Sequence, residues 1–423
     1  MKNTTQTDQT ANHNPKHKPN QNPNQNPNQC ALEGIRILDL TAIVFGPYAS
    51  QTLADYGAEI IKVEAPAGES TRYTGPSYEK GLSAIFLGVN RNKQSLCLDL
   101  KQPAAIDALL KLVDQADVIM HSMRPQKMAA LGLDAKTLIE RNPRLIYAGL
   151  YGFGEGGAYA GKPAYDDLIQ GMSGVVDLMQ RQSEQARYFP TIAADKTCAL
   201  VAVQAILAAL FQRERTDKGQ FIEIPMFETM TSFLLVEHFY GMHLADRQEP
   251  AGYPRALTKW RQPYRSADGL ISVMPYTDRH WQLFFKAAGF DQYAEDPKFA
   301  TIQARTEHIA FVYETLGTII ATQTSAYWLA LCEQAQIPAA AVNRLEDLPN
   351  DPHLKSVGMF QDVKDEHGNT YRFVRNPVTM QASKVNPSLA PRLGQHTQAL
   401  LREAGLSDEV IADMLRTGAA KSG

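Results

Sequence analysis

The sequence predicts an α/β fold: a large domain with a Rossmann-like, doubly wound parallel sheet, and a smaller α+β domain. The first observation is that short apolar strand patterns alternate with helical patterns from residue 34 to residue 242, which is typical of right-handed βαβ units. The second is the length of 423 residues, because single hydrophobic cores rarely grow beyond about 250–300 residues.

The predicted elements of the large domain follow one another at short intervals. Residues 34–39 (GIRILD) form the first strand, residues 47–56 a helix that ends before Gly57, and residues 59–63 the next strand. Apolar side chains at i, i+3 and i+4 predict a helix over 104–113. The other predicted strands are 95–100, 117–120, 145–151 and 221–224, and the other predicted helices are 134–141, 194–213 and 227–242.

The pattern loosens after residue 243, where Pro254, Pro263 and Pro275 separate short elements. We assign residues 30–243 to the first part of the large domain, 244–350 to the small domain, and 351–423 to a linker and a return to the large domain. The elements predicted in these segments are a strand at 270–273 and helices at 278–288, 306–322, 326–335, 398–404 and 407–416.

Residues 1–29 form a tail rich in Asn, Pro and Gln. After Met1 the tail has no large apolar side chain until Leu32, and residues 19–29 repeat Asn-Pro-Asn-Gln. Such a segment cannot bury enough apolar surface to offset its ordering entropy, so it is predicted to be disordered. It also lacks the contiguous apolar stretch of a secretory signal.

Composition excludes several classes of protein. A formal net charge of −3 gives no general basic field for nucleic acid, and 44% hydrophobic with 21% charged residues is ordinary for a globular protein. We expect no apolar run of the ~18–20 residues that span a bilayer. The cysteines, widely spaced, favour reduced thiols and a cytoplasmic location; they are Cys30, Cys97, Cys198 and Cys332.

A glycine-rich stretch follows the predicted strand at 145–151. Gly152, Gly154 and Gly157 match GxGxxG, but a dinucleotide site needs a helix directly afterwards, and the chain continues with AYAGKP. A loop whose backbone approaches another group closely is therefore the better interpretation. The sequence contains no HExxH, GxSxG or P-loop motif, and its ten histidines show no metal-ligand spacing, so no metal is expected.

Basic residues lie near the predicted strand ends. Arg91, Lys93 and Lys101 surround one strand, and Arg124 and Lys127 follow the strand at 117–120. In a doubly wound sheet such positions meet at the ligand crevice, where cations suit a phosphate-bearing ligand. A solvated surface explains this spacing equally well.

Asp195 opens the long predicted helix after the run Pro190-Thr-Ile-Ala-Ala. One interpretation is an N-cap, the commonest role of Asp at such a position. The other is a carboxylate, held anionic by the helix dipole and backbone donors, that acts as a covalent nucleophile toward an acyl group.

Several ordered segments resemble the class III coenzyme A transferases (CaiB/BaiF), the family of formyl-CoA:oxalate and crotonobetainyl-CoA:carnitine transferases and α-methylacyl-CoA racemase. The segments cover nearly the whole chain except the tail. They are 32–72, 90–101, 116–133, 146–174, 195–213, 263–269 and 393–407.

The resemblance implies a CoA-transferase in which Asp195 attacks an acyl-CoA thioester and then carries CoA as an aspartyl-CoA thioester to a carboxylic acid. It implies an intertwined homodimer, and CoA as a substrate with no permanently bound cofactor. Carried over by position, the CoA site would contain Val44, Phe45, Leu98, Asp99, Leu100, Lys101, Ser122, Met123, Arg124, Tyr151, Gly152, Phe153 and Gly154.

Two positions depart from the family pattern, since Ala65 and Ala130 stand where relatives often carry arginine. The cations expected to replace them are Lys93, Lys101, Lys127 and Arg72.

Two alternatives to transfer stay open, an acyl-CoA racemase and a non-catalytic acyl-CoA binding protein. The racemases of this family pair the aspartate with a histidine thirty residues earlier, where this chain has Tyr165, and an ordinary phenol is a poor base at neutral pH. Around residues 253–260, Arg261 and Arg265 are expected to face a second carboxylate, which favours a dicarboxylic acid.

Overall fold

The computed structural model describes residues 30–423, and the tail predicted at 1–29 lies outside the described residues. A seven-stranded sheet has the order β12-β3-β2-β1-β4-β5-β6. Strands β1 to β6 are parallel to one another and follow the doubly wound order, and β12 pairs antiparallel with β3 at the edge. The strands are β1 (Arg36–Leu40), β2 (Glu59–Glu64), β3 (Lys93–Leu98), β4 (Val118–His121), β5 (Ile146–Tyr151), β6 (Gln220–Pro225) and β12 (Ala420–Lys421).

Helices cover both faces of this sheet, which separates the interior into two apolar cores. Helices α1, α8 and α9 enclose one core, and α3 with the C-terminal α18 and α19 encloses the other. The bounds are α1 (Phe45–Asp55), α2 (Ala84–Asn90), α3 (Pro103–Val113), α4 (Pro125–Ala130), α5 (Ala135–Arg141), α6 (Asp166–Ser173), α7 (Val175–Ser183), α8 (Ala193–Thr216), α9 (Met226–His238), α18 (Thr397–Glu403) and α19 (Asp408–Thr417).

A third core, rich in aromatic residues, lies around Trp281, Phe284 and Trp328. It packs against an antiparallel sheet of β7 (Tyr264–Arg265), β8 (Leu270–Val273) and β9 (Ala339–Ala341). The helices of this part are α10 (Pro254–Leu257), α11 (Asp278–Ala288), α12 (Asp291–Ala294), α13 (Pro297–Ala300), α14 (Ile302–Glu307), α15 (Ile309–Ile320) and α16 (Ser325–Gln334). The domain limits at residues 243 and 350 stay a prediction.

The segment that returns to the large sheet contains α17 (Pro352–Ser356) and a hairpin of β10 (Phe360–Lys364) and β11 (Thr370–Val374). Short 3₁₀ helices occur at Ser70–Tyr73, Tyr240–His243 and Leu345–Asn350.

Three of the predicted elements have clearly different limits in the structure, and short elements such as α2 and the pair β10–β11 have no predicted counterpart. The strand predicted at 95–100 lies at 93–98, and the helix predicted at 227–242 ends at His238 before a 3₁₀ turn. The helix predicted at 306–322 is two helices that join at His308. Helix α8 is long and apolar enough to span a bilayer, contrary to the expectation, but half of its apolar stretch is buried in the protein.

Buried charges join three strands near the carboxyl ends of β1 and β2. Lys93 Nζ lies 3.2 Å from Asp39 Oδ2, and both side chains are completely buried. Lys62 Nζ donates to Thr41 O at 3.0 Å and lies 3.5 Å from Glu69. Burial alone would raise the pKa of Asp39, but Lys93, Lys62 and two hydroxyl groups lower it to about 2. Asp39 is therefore a permanent anion.

The same cluster holds the turn between β1 and α1. Asp39 accepts the amide of Thr41 at 2.9 Å, Glu69 accepts that of Ile43 at 3.0 Å, and Lys93 donates to Pro47 O at 2.9 Å. Ile43 has φ +74°, a strained conformation for a β-branched residue, so the surrounding bonds must enforce it.

We predict that Lys93→Met lowers the free energy of unfolding by about 3–5 kcal/mol, because Asp39 would remain buried without its closest cation. Urea denaturation measures the change. Lys101→Met is the matched control, since Lys101 is exposed and its loss should change stability by less than about 0.5 kcal/mol. Equal unfolding free energies for the two variants would contradict this role of the cluster.

Candidate active site

A cavity of about 270 Å³ opens at the carboxyl ends of β1, β4 and β5, where the strand order reverses. Ligands of doubly wound folds bind at this switch point. Its lining residues are Ala42, Ile43, Phe45, Ser122, Arg124, Pro125, Leu150, Tyr151, Gly152, Phe153, Glu155, Gly161, Lys162, Pro163, Ala164, Tyr165, Asp195 and Met226.

Asp195 reaches this cavity from the first turn of α8. It is the third residue of the helix, so the N-cap interpretation is wrong, and the N-cap position belongs to Ile192, which makes no side-chain cap. The amide of Asp195 donates to Asp166 Oδ1 at 3.0 Å. Within residues 30–423 no group donates a hydrogen bond to the Asp195 carboxylate, which therefore faces the cavity without a partner.

The protonation of Asp195 is set by its surroundings. Asp195 is only 8% exposed, and burial together with the charge of Asp166 raises the pKa of Asp195 to about 7. The sequence predicts instead a carboxylate kept anionic by backbone donors. That expectation is wrong, because the first-turn amide of Asp195 is used by Asp166 and desolvation dominates.

The glycine-rich loop forms one wall of the cavity. A Cβ on Gly152 would lie 2.2 Å from the Cβ of Ala164, which explains the need for glycine there. The amides of Gly154 and Glu155 donate to the carboxylates of Glu228 and Glu223 at 2.9 and 2.7 Å. These two amides are therefore engaged and do not serve as free donors to an oxyanion. No helix begins between the end of β5 at Tyr151 and the start of α6 at Asp166, which agrees with the rejection of a dinucleotide site.

A neutral aromatic pair lies behind this wall. Tyr151 lines the cavity, and its hydroxyl is 3.4 Å from His121 Nε2. Burial lowers the pKa of His121 to about 4 and raises that of Tyr151 well above its usual value. Both groups are thus uncharged at neutral pH, and neither is an effective general base there.

The structure brings part of the predicted CoA site together around Asp195. The residues that line the cavity with it are Phe45, Ser122, Arg124, Tyr151, Gly152 and Phe153. Val44, Met123 and Gly154 adjoin lining residues without lining the cavity themselves. Leu98 ends β3, and Asp99, Leu100 and Lys101 form the following turn, two strands away from β1.

Three predicted phosphate-binding cations are structural instead. Lys93 belongs to the buried cluster, Arg91 pairs with Asp55, and Arg72 pairs with Glu64. All three basic side chains are buried, so a surface ligand does not reach them. The exposed cations that remain near the strand ends are Lys101, Arg124 and Lys127.

Several residues of this site are not predicted from the sequence. Lys162 and Glu155 line the cavity, and Asp166 contacts Asp195 from another helix. The pair Asp166-Asp167, which lies before an apolar stretch, was the available signal of a helix start. Arg261 and Arg265 do not line this cavity. Within residues 30–423, no three His, Cys, Asp or Glu side chains group as metal ligands.

Comparison with known proteins identifies the family of this chain. The model of CoA-transferase family III matches residues 32–397. The chain is 31% identical to the succinate–glutarate CoA-transferase of Agrobacterium fabrum over 385 residues, which is 88% of this chain and 95% of that protein. It is 32% identical to the succinyl-CoA:mesaconate CoA-transferase of Haloarcula hispanica over 390 residues, 89% of this chain and 97% of that one.

A solved structure shows the same fold. The crystal structure of Rv3272 from Mycobacterium tuberculosis, a probable fatty acyl-CoA transferase, matches with a TM-score of 0.77 and 30% identity. The match covers 88% of this chain and 99% of that chain. The chain therefore belongs to CoA-transferase family III, and it is an enzyme of the CoA-transferase type.

Proposed function

We propose that this enzyme moves CoA from an acyl-CoA to a small dicarboxylic acid, with Asp195 as the covalent carrier. The observation that carries the proposal is a buried carboxylate that faces the switch-point cavity without a hydrogen-bond donor among residues 30–423. A carboxylate with few donors and little water is a stronger nucleophile than a hydrated one.

The proposed reaction exchanges one thioester for another. A carboxylate oxygen of Asp195 attacks the thioester carbon, and the carbon–sulfur bond breaks. CoA leaves as a thiolate, and the acyl group remains on Asp195 as a mixed anhydride. The thiolate then attacks the carbonyl carbon of Asp195 and releases the donor acid as a carboxylate, which leaves an aspartyl-CoA thioester. The acceptor carboxylate repeats these two steps in reverse, so no proton is consumed overall.

The cavity supports this chemistry by its charges and its apolar walls. Arg124 and Lys162 line it together with Asp195, and two cations suit either the phosphates of CoA or the distal carboxylate of a dicarboxylic acid. Phe45, Phe153 and Met226 form apolar wall and keep water from the anhydride. The named relatives act on succinate, glutarate and mesaconate or their CoA esters, which supports the same substrate class here.

Racemisation is less well supported than transfer. It requires a second base opposite Asp195, and Tyr165 occupies the position that the racemases give to histidine. Tyr165 is 72% exposed, and within residues 30–423 its hydroxyl has no hydrogen-bond partner.

An intertwined homodimer in the cytoplasm completes the proposal. Phe233 and Val236 of α9 are 58% and 77% exposed, and Phe211 of α8 is 60% exposed, an apolar surface that a second chain would cover. The four cysteines are free thiols, which supports a reducing compartment.

We expect sedimentation velocity to give the mass of a dimer. A monomer at micromolar concentration would contradict the proposed homodimer.

The test of the proposed function replaces the carrier. We expect Asp195→Asn to lower kcat at least about a thousandfold, because the amide cannot attack the thioester. The control is Asp167→Asn, an exposed carboxylate on α6, which should keep wild-type rates. Wild-type enzyme that is incubated with acyl-CoA and then desalted should be inactivated by hydroxylamine. Full transfer activity in Asp195→Asn would refute the proposal.

The pH profile of the wild type follows from the same carboxylate. Only the ionised form of Asp195 attacks, and its pKa in the free enzyme is about 7, so kcat/KM should rise as the pH increases through 7. An ordinary aspartate would be fully ionised at pH 6, and a flat rate between pH 5 and 8 would contradict the raised pKa.

A further inference from the structure

We propose that Asp166 is a positioning residue for Asp195: its carboxylate, braced by Gln170, holds the first turn of α8 and places a fixed negative charge beside the reacting carboxylate. The inference rests on the proposed role of Asp195 and adds a residue that determines its geometry and its affinity for a proton.

The geometric evidence is a clamp between two helices. Asp166 is the first residue of α6, and its Oδ1 accepts the amide of Asp195 at 3.0 Å. That amide is one of the orphan donors at the start of α8, which has no side-chain N-cap of its own. Asp166 thus supplies from another helix the acceptor that α8 lacks.

Gln170, one turn later on α6, fixes the other end of the clamp. Its Nε2 donates to Asp166 Oδ2 at 2.6 Å and to Thr191 O at 3.2 Å, and its Oε1 accepts the amide of Phe189 at 2.9 Å. Gln170 is completely buried. The pair therefore binds the segment that leads into Asp195 at three points, and Asp166 cannot turn away without breaking the set.

The charge of Asp166 acts in the same place. Asp166 lies in the first turn of α6 and accepts two hydrogen bonds, one from Gln170 and one from the amide of Asp195. Repulsion between two carboxylates disfavours the ionised form of Asp195, and Asp166 is the charged group identified as raising its pKa. This repulsion decreases when Asp195 attacks, because its negative charge moves onto the substrate.

Other titratable groups surround Asp195 without taking this role. Cys198 lies on α8 itself, and Tyr165 is the N-cap of α6. The remaining ones line the cavity from the loops and strand ends, and they are Arg124, Tyr151, Glu155 and Lys162.

The decisive variant is Asp166→Asn, which removes the charge and can keep the acceptor for the Asp195 amide, although its amide nitrogen cannot accept the hydrogen bond from Gln170. We expect the acid limb of kcat/KM to move to lower pH by about one unit. Asp166→Ala, which removes charge and acceptor, should lower kcat about a hundredfold while the KM for acyl-CoA stays within about twofold. In Asp167→Asn, the charge-matched control on the same helix, neither quantity should change.

Two further variants separate charge from position. Gln170→Met leaves the charge of Asp166 but removes the brace, so kcat should fall while the acid limb stays at the wild-type pH. If Asp166→Asn does not fold, Asp166→Glu keeps the charge and displaces the carboxylate, and it should show the same pattern as Gln170→Met.

An acid limb at the wild-type pH in folded Asp166→Asn, or a wild-type kcat in Asp166→Glu, would overturn the inference. Either result leaves the covalent role of Asp195 intact as long as hydroxylamine still inactivates the wild type after acyl-CoA. Full activity of Asp195→Asn would instead remove the proposed function itself, so the two failures are distinguishable.

Discussion

The buried ion pair between Asp39 and Lys93 joins β1 to β3 across β2, and the arrangement of the cavity depends on it. The pair and its neighbour Lys62 fix the turn that follows β1, including Ile43 in its left-handed conformation. Ala42, Ile43 and Phe45 of this segment form one side of the cavity. Buried charged groups that do not line the cavity thus determine the position of the backbone that does.

Two aspartates of the same fold show how surroundings determine chemistry. Asp39 is surrounded by cations and hydroxyl donors, and its pKa is lowered to about 2. Asp195 is also buried, but it has a neighbouring carboxylate and no donor within residues 30–423, and its pKa is raised to about 7. The first residue is therefore suited to structure, and the second to reaction with an electrophile.

The strands could be predicted from the sequence because both faces of the sheet are covered. In β5, for example, all six residues are buried, which produces a continuous apolar run. Short helices such as α2 and the hairpin of β10 and β11 lack a strong period and were not predicted. The importance of Asp195 follows from the family resemblance, since its position alone favours the commoner role of a helix N-cap, which the structure gives to Ile192.

Long-range contacts account for what the sequence could not predict at the site. Arg72, Arg91 and Lys93 have the spacing of ligand-binding cations, and only their partners in the fold show that they are structural. Asp166 contacts Asp195, which lies 29 positions later in the chain.

The most direct measurement of the covalent role of Asp195 uses an acceptor acid labelled with oxygen-18 and peptide mass spectrometry. The proposed mechanism predicts oxygen-18 on Asp195 after turnover, because the oxygen with which the acceptor attacks stays on the Asp195 carboxylate. Transfer that leaves Asp195 unlabelled would contradict it.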